Sequence, residues 1–318
     1  MDYTKIVNDI ILVSWSLFKV MIPTLIVVKI GQETGVVDFL NWIFTPVTEL
    51  IGLPGSLTIV LTTTILTNPY AGLIILASTG VPEDITIAQT SVMASFMLFT
   101  HALPIELAIS RQAGTKILFL ALIRIITAIL YCILINFILT HFDILQEPAT
   151  VTLLEFKETN TLLDWVVEQI KGLIFIQIII IALIILIEFL KAINVEKLIT
   201  TVMKPFLKFL GIKKTASTIV VVGLTIGLGF GGGLMIKEVR QGKVQKRDSV
   251  NALVFINLFH SLIEDTSLLL LLGPSITIIL FCRALFVLVI VYFVIKILRL
   301  IPERVFDRLF VNQNAFKN

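Results

Sequence analysis

The 318 residues are 57% hydrophobic and only 15% charged, with a mean hydropathy of +1.01 and a formal net charge of +3. Soluble domains carry about 45–50% apolar and about 25% charged residues, so this composition excludes a soluble globular protein. The two cysteines, Cys132 and Cys282, lie in apolar stretches without CxxC spacing, which argues against a disulfide framework or a thiolate zinc site.

Stretches 117–139, 172–190, 215–236 and 276–295 are nearly free of charge and reach or exceed about 18 residues, the length of a membrane span. The N-terminal "MDYTKIVNDIILVSW" has neither a basic leader nor a small-residue cleavage site, and is read as the start of the first span, over 10–30. Next comes "VVDFLNWIFTPVTELIG", amphipathic and holding Trp42; about 16 helical residues reach only ~24 Å, so an interfacial helix is predicted. "SLTIVLTTTILTNPYAGLIILAS" breaks at Asn68–Pro69, since Pro lacks the N–H a helix needs. A helix pair follows over 87–109 and 116–139.

The same series then recurs. A span over 168–190 precedes the amphipathic "VEKLITTVMKPFLKFLG", and "ASTIVVVGLTIGLGFGGGLMI" breaks at its glycines. A second helix pair is predicted over 249–271 and 276–298. At an offset of 159, half the chain, Pro46, Gly52, Gly72, His101, Gly114 and Arg124 meet Pro205, Gly211, Gly231, His260, Gly273 and Arg283. Glu106 meets Asp265 at the same offset. Matches in these residue types mark an internal repeat, divided here into 1–150 and 151–318.

Charge orients the two copies. Loop 80–86 is acidic and its counterpart 237–248 basic; Arg111 and Lys116 have no basic counterpart around "LGPSI"; 142–160 is acidic and the tail after Lys296 basic. Lys and Arg collect on the cytoplasmic side, so the copies are predicted to insert in opposite directions. The expected fold is an all-α integral membrane protein of two inverted repeats. Each has about three full spans, one interfacial helix and one broken element, read as a re-entrant hairpin because irregular backbone at membrane depth must be buried or line a cavity; five crossings per half, which also keep the inversion, are the alternative. Cytoplasmic (inner) membrane placement is expected from this class of protein, with both termini cytoplasmic.

Ionisable residues inside spans are the candidate site. Glu106 and Arg124 are placed symmetrically about the turn at 114–115, as are Asp265 and Arg283 about 273–274. Each acid and arginine should share one depth, about 13 Å in, and pair. Helix–helix glue is one reading; the other has Arg124 and Arg283 hold an anionic solute. His101 and His260 are either packing histidines or proton acceptors and solute ligands. Thr67 and Asn68 at the first break, and Gly229, Gly231 and Gly232 at the second, are candidates to face the solute with hydroxyl, amide and bare backbone. Close helix packing is the alternative for the glycines. Histidines and carboxylates together can hold a metal, but none is assigned, because neither helix has two histidines at i, i+4, and no cofactor is indicated. Gly227, Gly229 and Gly232 match GxGxxG without the strand that a dinucleotide site requires.

The segments "GFGGGLMIKEVRQGKVQKRDSV", "HSLIEDTSLLLLLG" and "GLPGSLTIVLTTTILTNPYAG" resemble the nucleoside recognition (Gate) domain membrane proteins. That family includes the spore maturation proteins A and B, and is similar to the Gate segments of ferrous iron transporter B and of concentrative nucleoside transporters. The resemblance spans nearly the whole chain in two copies. It implies a transport-like membrane domain and points to His260, Glu264, Asp265, Gly229 and Gly231–Gly233.

The expected function is a secondary transporter of a small polar, anionic or nucleoside-like solute held between the repeats, with proton coupling as an option. Alternatives are a membrane scaffold or signalling protein, a flippase for a phosphorylated lipid carrier, or a divalent-metal permease. No enzyme is expected, since no nucleophile–base set is present. Expected partners are the bilayer, the solute, and a second copy or another membrane protein, with no nucleic acid.

Overall fold

Apolar sequence without strand alternation folds here into helices. The structure, a computed structural model, describes residues 3–154, 156 and 161–316. Among them regular structure is helical, and extended pairing is confined to the isolated bridges Thr86–Pro148 and Thr115–Val311. The first half contains α1 (Tyr3–Glu33), α2 (Val36–Leu50), α3 (Thr58–Leu66), α4 (Pro69–Thr79), α5 (Ile87–Thr100), α6 (Leu103–Gln112) and α7 (Ile117–His141). The second contains α8 (Leu162–Ala192), α9 (Val195–Phe209), α10 (Lys214–Ile226), α11 (Leu228–Arg240), α12 (Lys246–Leu258), α13 (Glu264–Leu269), α14 (Arg283–Leu300) and α15 (Glu303–Phe310). The 159-residue offset reappears in the elements: α1 and α8 are 31 residues each, α2 and α9 are 15 each, and both pairs begin and end at that offset.

Among the described residues five stretches are long and apolar enough to cross a bilayer: Ile6–Glu33, Ile87–Gln112, Ile117–His141, Leu162–Ala192 and Thr277–Leu300. Trp15, Leu118, Ile174, Phe293 and Leu300 stand exposed on them. Such faces are stable only against lipid, so this is a multi-pass membrane protein whose helices contact the bilayer. Three of the five lie in the first half and two in the second, against the three per half expected from sequence. The segment that falls short is 249–271. Its first helix, α12, has 13 residues opening on Lys246, Arg247 and Asp248, and the chain leaves helical conformation before α13 begins at Glu264.

The two broken elements are helical hairpins. α3 packs on α4, and α10 on α11. Their close approaches are equivalent. A Cβ on Gly72 would lie 2.0 Å from Thr64 Oγ1, and one on Gly231 would lie 2.5 Å from Gly223 Cα. Residues 64 and 72 are centred on Asn68, and 223 and 231 on Gly227. The tips are closed differently. Asn68 accepts a hydrogen bond from Ala71 N–H and caps α4, whereas Gly227 turns the chain at φ 96°, a conformation that favours glycine.

Helices predicted as continuous over 87–109 and 249–271 are both interrupted at their histidines. Ala102 has φ 50° and Ser261 φ 48°. The reason is tertiary. The Ala102 N–H donates to Thr64 O (3.1 Å) and the Ser261 N–H to Gly223 O (3.4 Å), one repeat apart, and Leu262 N–H adds a bond to Leu224 O (3.0 Å). Each hairpin's first arm supplies the acceptor that the broken helix gives up, so the buried amides stay satisfied. In the first copy Pro104, in the opening turn of α6, also forbids continuation.

The copies interlock. α4 packs on α13 and α11 on α6; α5 packs on the turn that precedes α14, and α12 on α7; α1 packs on α8. Each hairpin therefore leans on the short helix that follows the other copy's histidine.

Candidate functional site

The interlock brings the two histidine breaks face to face. His101 ends α5, His260 follows α12, and their Nε2 atoms are 3.1 Å apart. Each ring is oriented from its own helix: Nδ1 lies 2.9 Å from Met97 O in one copy and 2.9 Å from Ile256 O in the other. A carbonyl oxygen only accepts, so each Nδ1 carries a hydrogen and donates it. That leaves both Nε2 atoms of the neutral rings as acceptors, pointing at each other.

Two carboxylates complete the set. Glu106, in the first turn of α6, places Oε1 2.9 Å from His260 Nε2 and 3.5 Å from His101 Nε2. Asp265, in the first turn of α13, places Oδ2 3.2 Å from His101 Nε2. All four residues are less than a tenth exposed. The result is a buried acceptor cluster in which His101 Nε2, His260 Nε2 and Glu106 Oε1 lie mutually close and Asp265 Oδ2 adjoins them at His101. Such a cluster is stable only around positive charge.

Arg124 of α7 stabilises this centre from outside. Its Nη1 donates to Glu106 Oε2, Nε to Phe99 O (2.8 Å) and Nη2 to His101 O (2.8 Å). The guanidinium neutralises the acid and holds the carbonyls around the break, so each of its three nitrogens already has a protein acceptor. The Glu106–Arg124 pair expected from the turn is present. The second expected pair is not: among the described residues Asp265 turns to His101, and Nε and Nη2 of Arg283 have no partner. Two local features explain the difference. Asp265 sits on a short helix after a non-helical linker, and Thr277–Cys282 forms a π-helical turn ahead of Arg283. A π-turn shifts side-chain register relative to α7. Arg283 lies instead 5.0 Å from the Phe259 ring centroid and 5.8 Å from that of Phe99, as a cation over aromatic faces.

The other predicted residues take other places. Glu264 accepts from the Tyr70 hydroxyl at 3.0 Å, tying α13 to α4. Thr67 donates to Thr63 O, and Asn68 caps α4, so their described bonds stay within the hairpin. Gly231 lies against Gly223, and a Cβ on Gly232 would meet Ile109 of α6 at 2.4 Å; both serve close packing. Gly229 lies in the first turn of α11, and its surroundings fall outside the described residues. The partners that sequence reasoning missed, Tyr70 and the Asn257–Ser110 bond at 2.9 Å, join residues 194 and 147 apart and leave no local signal. Two open clefts, of about 470 and 490 Å³, lie away from this centre; the second is lined by apolar groups of α9 and α14 such as Phe206 and Phe293.

The chain is 32% identical over 266 residues to a protein of Bacillus subtilis (strain 168) described as the uncharacterized membrane protein YvoD, with 82% of this chain and 83% of that protein covered. The chain belongs to the YvoD family. For the YvoD family the name establishes a membrane protein and nothing more specific. No family model matches the chain, and no solved structure matches it.

Proposed function

We propose that this protein is a secondary transporter, with no enzymatic activity, that carries a small cation through a centre shared by two inverted repeats. The observation that carries the reading is the convergence of three buried acceptors drawn from both copies, His101 Nε2, His260 Nε2 and Glu106 Oε1, with Asp265 Oδ2 beside His101. Solute sites of inverted-repeat transporters lie between the repeats, where helices are interrupted. The opposite charge bias of equivalent loops supports the inversion, the two apolar hairpins support a re-entrant element in each copy, and the resemblance to Gate-domain proteins supports transport. The basic tail supports a cytoplasmic membrane with both termini inside. A cation is favoured over an anion because the cluster is made of acceptors and every Arg124 nitrogen is already bonded to Glu106 or a backbone carbonyl. The unpartnered Nε and Nη2 of Arg283 favour, as a second reading, an anionic group there.

The test is flux in proteoliposomes under an imposed gradient, with protons, Na⁺ and divalent cations offered in turn, and nucleosides and phosphate as anionic or polar competitors. Gradient-driven uptake of a cation, lost in the His101→Ala/His260→Ala double variant, is expected. Uptake of an anion alone would move the site to Arg283, and no flux of any kind from a folded protein would end the transport reading.

A further inference from the structure

Three of the acceptors, His101 Nε2, His260 Nε2 and Glu106 Oε1, lie close enough together to share one ion. We propose that His101, His260 and Glu106 bind a divalent first-row transition metal ion, with Asp265 beside it at His101; this deepens the cation reading above and rests on it. Bonds of about 2.0–2.2 Å from nitrogen and oxygen set the ligand–ligand edges of a tetrahedral site at about 3.3–3.5 Å. The three edges of the triangle formed by His101 Nε2, His260 Nε2 and Glu106 Oε1 are 3.1, 2.9 and 3.5 Å; Asp265 Oδ2 adjoins it at His101, 3.2 Å from Nε2. Small outward movements of the rings reach the tetrahedral values, and the ion removes the acceptor–acceptor repulsion.

The surroundings fit the same occupant. Metal-bound histidines characteristically donate the other ring N–H to a carbonyl or carboxylate, which fixes tautomer and orientation, and ligating carboxylates are themselves hydrogen-bonded. Both histidines donate Nδ1–H to a carbonyl of their own helix, and Glu106 receives Arg124 on the oxygen that faces away from the pocket. Asp265 Oδ2 is buried and has no hydrogen-bond partner. Imidazole nitrogen suits zinc, iron, nickel and copper, while magnesium and calcium prefer sites made wholly of oxygen. Absence of an i, i+4 histidine pair does not disfavour this site, since its histidines come from different copies.

The experiment uses the purified full-length protein in detergent, with Co²⁺ as the probe and Mg²⁺ as the control. One Co²⁺ per chain is expected, with the strong visible absorption of a tetrahedral ion, displaced by Zn²⁺ and unaffected by Mg²⁺. His260→Ala and Asp265→Asn should each weaken binding by more than about tenfold, a loss that outer partners alone can cause. Asp265→Asn keeps the side chain's shape, and its melting temperature is the check on folding. Co²⁺ binding that survives both variants would overturn the proposal, as would a folded wild type that binds neither Co²⁺ nor Zn²⁺. In that case the transport reading is tested on its own by monovalent-cation flux in the vesicles. Stoichiometric Co²⁺ binding without metal uptake would uphold the site as a resident metal and remove the transport reading instead.

Discussion

Arg124 and Arg283 occupy one repeat position, and both are fully buried, yet the first is held by a carboxylate and two carbonyls while the second rests on aromatic rings. The difference follows from two short segments, the linker before α13 and the π-turn before Arg283. Duplicated sequence supplied two sets of the same chemistry. Local backbone then spent one set on bracing the centre and freed Asp265 of the other to face it. A duplicated site need not be used twice in the same way.

The arginines offer the sharpest contrast. Arg124→Met leaves Glu106 buried and uncompensated and strips two carbonyls of their donor, so a loss of about 3–5 kcal/mol is expected. Arg283→Met removes a buried charge that has no paired acid and should cost little or raise stability. Unfolding of both variants in detergent, monitored by melting temperature, gives the comparison; equal losses would show that Arg283 has a partner of equal weight.

The hairpins should differ next. Gly231→Ala drives a methyl into the backbone of Gly223 and should cost about 1–3 kcal/mol. At Gly72 the obstacle is the Thr64 side chain, so Gly72→Ala should be largely rescued by a second change, Thr64→Ala, whereas no side-chain change near Gly231 offers such relief. Rescue is read as recovery of the melting temperature in the double variant.

A smaller effect is expected at the tips. Asn68→Ala removes the cap of α4 and should cost about 1 kcal/mol. Gly227, at the same repeat position, has no cap to lose. Faster hydrogen exchange confined to the start of α4 is the expected signature of the variant.

The smallest contrast is in pH. In the first copy, Ile87 N–H donates to Glu147 O and Ala149 N–H to Ile85 O, so backbone joins the start of α5 to the following loop. At the equivalent place in the second, Lys246 pairs with Asp307 at 2.5 Å. Burial works to raise the Asp307 pKa, but the bonds from Lys246 and Gln313 outweigh it and hold the carboxyl below its ordinary value. A lowered pKa stabilises the fold above the ordinary carboxylate range, and that contribution is lost as pH falls through the lowered value. Acid should therefore loosen α15 and leave 145–149 unchanged, with an effect below about 1 kcal/mol because the pair is partly exposed. Exchange at α15 that is indifferent to pH, or that responds equally in Lys246→Met, would show that the ion pair carries nothing.

Much of this molecule was legible in its sequence, for stated reasons. Long apolar runs predict spans whatever their neighbours, and the 159-residue offset of Pro46, Gly52 and His101 anticipated the matching bounds of α2 and α9. Glu106–Arg124 was legible because a turn at Gly114 sets the depth of both. The helix breaks at His101 and His260 were not. Ala102 and Ser261 leave the helix because Thr64 and Gly223, on another hairpin, accept their N–H groups, and no local propensity encodes a distant acceptor. The missing Asp265–Arg283 pair has a similar cause, since symmetric spacing about a turn assumes regular helices. The acceptor cluster joins His260 to His101 and Glu106, more than 150 positions away, and each looked incomplete on its own helix.

The interlocked packing sets a schedule for making the protein. His260 is synthesised 154 residues after Glu106, and at about 5–20 residues per second the ribosome needs roughly 8–30 s to supply it. Throughout that interval Glu106 and His101 lack their second-half partners, His260 and Asp265. Arg124 follows Glu106 by only 18 residues, early enough to neutralise it within the same half. The second half then inserts against a finished seat, where Asp265 finds His101 already in place. Birth order, as much as final geometry, gives the first copy the greater need for its own counter-charge.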